Sequence, residues 1–252
     1  EEVIANTTGF DAFIDGHSHS TFSETIKDKS GKEVVFEQTG TKLANVGKII
    51  IKADGTITHE NVDLNTVEPD AEAAAYIQTI TDKFDALQKQ VVAKTSVELT
   101  INGADGKRAV RNAETNLGDL CADAYRILLG ADIAFVNGGG VRDNIKVGDI
   151  TYGDIIKVHP FGNEACLVEV TGQQIKDALE LGSAAYPGES GGFLQVSGLT
   201  YTINADIPSS VVKNDKSEFV KVDGAYRVSD IMVGGQPLDV NKTYTLASHN
   251  YM

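Results

Sequence analysis

The run Ile133-Ala134-Phe135-Val136 is apolar at every position and empties into Asn137-Gly138-Gly139-Gly140-Val141-Arg142. So short a stretch with no polar alternation predicts a strand buried on both faces. A different period governs Ala71, Ala74, Ala75, Ile77, Ile80, Phe84, Leu87 and Val91. Their three- and four-residue spacing predicts a helix from Asp70 to about Val92, with Pro69 in its first turn and a length of roughly 30 Å. Further helices are predicted over Asn116–Leu129, with Asn116 as N-cap, and over Gly172–Leu181; Asp154–Val158 reads as a short helix or turn. Strands are predicted at 12–15, Glu33–Gln38, Val46–Lys52, Val97–Ile101, Cys166–Val170, Gln195–Ile203, Glu218–Val222, Tyr226–Val233 and Tyr244–Ser248. Gly182–Gly192 is small and polar and reads as a mobile loop. The order of elements divides the chain into an α/β region over 1–62, a linker with the long helix over 63–95, and an α+β domain over 96–252.

Composition narrows the partners. The chain has 252 residues, 41% of them hydrophobic and 23% charged, as ordinary globular domains do. No window approaches the ~18 uninterrupted apolar residues of a membrane span. Glu1-Glu2 is the wrong chemistry for a secretory leader. A formal charge of −14 argues against a general nucleic-acid binder and against adhesion to anionic lipid. A small anionic ligand is compatible with it wherever a few cations converge. Cys121 and Cys166 read as buried free thiols, with a single disulfide as the alternative, and two cysteines alone make no zinc site.

Three segments carry chemistry. Gly16-His17-Ser18-His19 places two imidazoles where alternate side chains of a looping segment reach one metal centre, or where a solvated pair simply decorates a loop. At 137–142, glycines bring backbone close to a neighbour while Asn137 and Arg142 deliver an amide and a guanidinium to one strand end. That suits a polar small molecule, or it is a tight turn beside an incidental surface arginine. Phe161, in Pro160-Phe161-Gly162, offers its face to a purine, or lies in the core beneath a loop. Base stacking on such a ring is worth about 1–3 kcal/mol.

Taken in order, residues 10–22 (FDAFIDGHSHSTF), 111–123 (RNAETNLGDLCAD), 137–142 (NGGGVR) and 158–162 (VHPFG) resemble the 5′-nucleotidase family. These binuclear metallophosphoesterases include UDP-sugar hydrolases and 2′,3′-cyclic nucleotide phosphodiesterases, and the resemblance covers nearly the whole chain. For the fold it implies the end of a metallophosphoesterase sandwich, a linker helix and a C-terminal substrate-recognition domain without its last motif. Arg111, Asn137, Gly138, Gly139, Gly140 and Arg142 then fall at positions that grip ribose and phosphate oxygens, and Phe161 becomes half of a base clamp. Arg111 could otherwise pair with Glu114, and Asn137 could cap the strand end.

His17 is implied as a metal ligand, and His19 stands where the family more often has Gln or Asn. His159, Asp119 and Asp123 read as rim, packing or surface groups. The intact enzyme would use two divalent ions, zinc, manganese or similar, to generate a hydroxide for in-line attack on phosphorus. The Asp-x-His and Asn-His-Glu or Asn-His-Asp motifs with which that site begins are not found before residue 16, and the motif that carries the second clamp aromatic is not found near the other end. The chain alone is therefore expected to be inactive, a weak binder of nucleotide or nucleoside, and to need an N-terminal catalytic domain. The intact protein is expected to hydrolyse nucleoside 5′-monophosphates to nucleoside and phosphate. Alternatives are 2′,3′-cyclic nucleotides or UDP-sugars as substrates, or a non-catalytic nucleotide-binding module. A bacterial, secreted protein of the periplasm, cell surface or medium is implied.

Overall fold

A computed structural model describes residues 1–252, which form two compact units, Glu1–Thr81 and Asp82–Met252. The division falls inside the long helix rather than at either end of the expected linker.

In the first unit, α1 (Glu2–Asn6) is followed by β1 (Ala12–Ile14), β2 (Thr21–Lys27) and β3 (Glu33–Thr39). β3 is central, parallel to β1 and antiparallel to β2. Ile4, Val34 and Phe36 are buried together, with Phe10, Phe13, Phe22 and Ile26 packed around them. A hairpin of β4 (Asn45–Ile51) and β5 (Ile57–Asp63) is fastened to the sheet by Asn61, whose Nδ2 donates to the carbonyls of Phe22 and Gln38, each at 3.1 Å. β2 and β5 escape the hydrophobic pattern because each carries only two apolar residues in seven.

The helix α2 (Ala71–Gln88) stops short of the expected Val92, and it buries no residue. Tyr76, Ile77, Ile80, Phe84 and Leu87 are all exposed. The next strand is not at 97–101. It is β6 (Val91–Thr95), paired with β8 (Gly148–Thr151), while 97–101 contributes only an isolated bridge from Leu99 to Ile145.

The second unit is layered around β7 (Ile133–Asn137), which is buried at every position. Its sheet has the order β10 (Leu194–Ser197), β7, β16 (Thr243–His249), β9 (Ala165–Thr171). Val136 packs with Leu117 and Cys121 of α3 (Asn116–Leu129) on one face. Ile133 and Phe135 pack with Ile175 and Leu179 of α5 (Gly172–Gly182) on the other. An all-apolar strand sandwiched by two helices is what the sequence pattern requires. The N-cap of α3 is Thr115, whose hydroxyl accepts from Gly118 N at 3.2 Å, and not Asn116. The Asn116 side chain instead bridges to Glu98 O and Thr100 N, both at 2.8 Å.

The stretch expected as one strand over 195–203 is broken by Gly198, at φ 77°. Asp132 O would lie 2.2 Å from any Cβ there, so only glycine fits. The break sends β11 (Leu199–Ile203) into a separate sheet with β14 (Val228–Val233) and β15 (Gln236–Pro237). The hairpin β12 (Val211–Lys213) and β13 (Phe219–Val222) and the short α4 (Tyr152–Val158), closed by a Thr151–Asp154 capping box, complete the unit.

Gly182–Gly192 is tied down rather than free. Arg227, buried to 4% exposure, donates from Nη1 to the carbonyls of Ser183, Ala184 and Tyr186, and Asn112 Nδ2 donates to Pro187 O. Both cysteines are free; Cys121 is buried and Cys166 half-buried.

Candidate functional site

At the C-terminal end of β7 the chain turns through a 3₁₀ segment, Gly138–Gly140. A Cβ on Gly138 would meet Val110 O at 1.9 Å, and one on Gly139 would meet Gly191 at 2.9 Å. The glycines therefore let two other segments close on the turn, the one carrying Arg111 and the one carrying Glu189. Their own amides are already used: Gly138 N donates to Phe193 O at 2.7 Å and Gly139 N to Gly191 O at 2.9 Å. These two N–H groups thus face protein acceptors and not a ligand.

Gln195, buried within β10, fastens the Arg111 segment from the opposite side. Its Oε1 accepts from Thr115 N, and its Nε2 donates to Val110 O at 3.0 Å and Ala113 O at 2.7 Å. Ser190 N adds a bond to Arg111 O at 2.9 Å. The Arg111 backbone is thus rigid, yet its half-buried guanidinium has no hydrogen-bond or salt-bridge partner. Glu114 does not pair with it; that carboxyl lies beside Asp119. Burial, and then the neighbouring Arg108 and Arg142, push the Arg111 pKa downward. An unpaired cation crowded by like charge is stabilised by an arriving anion.

Arg142 is held by its own N–H to Val158 O at 3.0 Å and by Nη1 to Gly139 O at 3.2 Å. Its guanidinium carbon lies 5.7 Å from the centre of the Phe161 ring. Phe161 is 60% exposed, so it is not a core residue. It sits on the turn after α4, where Gly162 takes φ 65°. Asn137 is buried; its Nδ2 donates to Gly191 O at 3.2 Å, while its Oδ1 is buried without a partner. The structure therefore gathers Arg111, Asn137, Gly138–Gly140, Arg142 and Phe161 around one strand end.

His17 and His19 belong to the other unit. Both are exposed and both have positive φ, 70° and 61°. Between them Ser18 is anchored by its hydroxyl to Oε1 of buried Gln38 at 2.7 Å, and Ser20 N reaches the same oxygen at 2.8 Å. No third His, Cys, Asp or Glu completes a metal-binding group with them. The donor set offered by this chain is two imidazoles on a fixed loop. His159 packs edge-on to Tyr125 and is pushed to lower pKa by burial and by His249, as befits a rim or packing group.

Gln195, Arg108 and Glu189 also shape this strand end, and the sequence gives little sign of them. A lone amide inside Phe193-Leu194-Gln195-Val196 is the one signal that pointed to Gln195. The Arg108–Glu189 pair, Nε to Oε1 at 2.9 Å and Nη2 to Oε2 at 2.5 Å, joins residues with no pattern between them.

A family model described as 5′-nucleotidase, C-terminal domain, matches residues 91–252. The trifunctional nucleotide phosphoesterase YfkN of Bacillus subtilis is 32% identical over 276 residues, covering 98% of this chain and 18% of that protein. A 5′-nucleotidase of Vibrio cholerae is 37% identical over 146 residues, covering 57% of this chain and 23% of its own length. The crystal structure of a 5′-nucleotidase precursor from Thermus thermophilus superposes with a TM-score of 0.73 at 28% identity, over 99% of this chain and 51% of that one. The chain spans about a fifth of the length of these curated relatives and about half of that solved chain.

Proposed function

Because residues 91–252 fit that model, the chain belongs to the family of 5′-nucleotidase C-terminal domains, and on that premise we propose that its second unit binds nucleotides at the Arg111–Phe161 site. The observation that carries this reading is the unpaired Arg111 guanidinium beside Arg142 and the exposed Phe161 ring. Arg111 and Arg142 neutralise phosphate oxygens, Phe161 stacks on the base, and buried Asn137 holds the turn between them through its Nδ2 bond to Gly191 O.

The longer protein, on this reading, hydrolyses nucleoside 5′-monophosphates to nucleoside and phosphate. His17 and His19 would offer imidazole nitrogens to divalent ions whose other ligands come from outside this chain. Such ions supply an activated water and charge neutralisation at phosphorus. Ser18 and Gln38 keep the two histidines in place. An extracytoplasmic bacterial location accords with the precursor form named for the Thermus protein, and we carry it over as part of the same proposal.

Calorimetric titration of the full chain with AMP tests the site. Loss of stacking in Phe161→Ala should cost about 1–3 kcal/mol of binding. Arg111→Ala should cost about 1.5–3 kcal/mol, the range of a hydrogen bond to a charged group. Equal affinity in the parent and both variants would remove the site from these residues.

A further inference from the structure

The arginine cluster has a built-in counter-charge. Arg108 gives two parallel hydrogen bonds to Glu189, the fork geometry that fixes a guanidinium most firmly. The next residue, Ser190, donates its N–H to Arg111 O, and the one after, Gly191, accepts from both Gly139 N and Asn137 Nδ2. Glu189 is therefore pinned to the wall of the nucleotide site through its own side chain and through the two residues that follow it. Arg111 is acted on by Arg108, Arg142 and Glu189 together. Three guanidiniums and one carboxylate leave a net charge of +2 at this strand end.

We propose that Glu189 is a specificity-determining residue: by occupying Arg108, it leaves Arg111 and Arg142 as the two cations open to ligand and matches the site to a phosphomonoester dianion over a diphosphate. The inference rests on the nucleotide reading given above and adds to it the residue that sets the charge the site accepts. A monoester carries nearly two negative charges at neutral pH. A diphosphate carries one more, which finds a carboxylate at the rim and no free third guanidinium. Since the pair is partly exposed, with side chains 45% and 37% accessible, solvent screens it and the discrimination is modest.

The test compares AMP with ADP by calorimetry at low salt, on the full chain and on three variants. Glu189→Gln frees Arg108 and raises the local charge, so ADP should tighten relative to AMP by about fivefold. Arg108→Gln leaves Glu189 unpaired and should shift the ratio the other way by a similar factor. Glu189→Asp keeps the charge and should leave the ratio near that of the parent. An ADP-to-AMP ratio unmoved by both Glu189→Gln and Arg108→Gln, in chains that still bind AMP, overturns the role of Glu189 and leaves the nucleotide site standing. Failure of the parent chain to bind either nucleotide overturns the site itself, and this inference with it. Melting temperatures of the variants, taken alongside, separate a charge effect from a folding defect, because a mere loss of structure weakens both ligands together.

Discussion

Gly138 shows how much one missing methyl group decides. Val110 O occupies the space a side chain would need, at 1.9 Å from the ideal Cβ, and it is backbone, so it cannot swing aside. An alanine there pushes the 110–111 segment off the turn, strains its bonds to Gln195 and displaces the Arg111 guanidinium. Overpacking of this kind costs about 1–3 kcal/mol of stability. Gly138→Ala should therefore lower the urea midpoint and also weaken AMP binding in the fraction that remains folded. Unchanged binding at lowered stability would mean that Arg111 does not depend on the turn. Gly140 is of another sort: its neighbour at 2.8 Å is the Asn137 side-chain oxygen, which has some freedom to move.

Among the elements, α3 carries the clearest conflict. Its first turn holds Asp119, and the helix N-terminus favours a negative charge there. Burial, then Glu114 and Asp123, oppose it and raise the Asp119 pKa from 3.8 to about 6. The folded chain binds a proton more readily than the unfolded one between those values, so this group lowers stability as pH rises through that window. The full shift would correspond to about 3 kcal/mol, and partial exposure reduces it to about 1 kcal/mol. Asp119→Asn should remove that contribution, so that the difference in melting temperature between variant and parent grows from about pH 4 to about pH 7 and then levels. A difference constant with pH would show Asp119 titrating normally.

The same helix marks the limit of what the sequence discloses. Its body is written in periodicity, as are β7 and α5, because burial on a helix face or on both faces of a strand leaves a regular trace. Its cap lies one residue before the expected Asn116, since Thr115 and Asn116 are both good caps and only the tertiary partner of Asn116, the 98–100 segment, decides between them. The Gly198 break depends on a carbonyl 66 residues away in sequence, Asp132 O, which no local window contains. The functional residues divide in the same manner. Arg111, Asn137, Arg142 and Phe161 stand in recognisable segments, whereas Arg108, Glu189 and Gln195 act through pairings across 80 or more residues.

For the molecule as a whole, the two units differ in how much apolar surface they close over. The first buries a cluster of only Ile4, Val34 and Phe36, with part-exposed aromatics around it. The second holds two clusters of nine buried residues each, one on either face of β7. Small units bury a smaller share of their surface and are correspondingly less stable. Calorimetric unfolding should then show two transitions, with residues 1–81 melting first. Phe36→Ala, which empties the smaller core, costs about 3–5 kcal/mol and should lower only the first transition or abolish it. Ile133→Ala, in the strand between α3 and α5, costs about 2–5 kcal/mol and should lower only the second. A nucleotide bound at the Arg111–Phe161 site stabilises by mass action the unit that holds it, so saturating AMP should raise the upper transition and leave the lower in place. One cooperative transition, moved alike by both substitutions, would mean that the units fold as a single body and that the modest core of the first borrows its stability from the second.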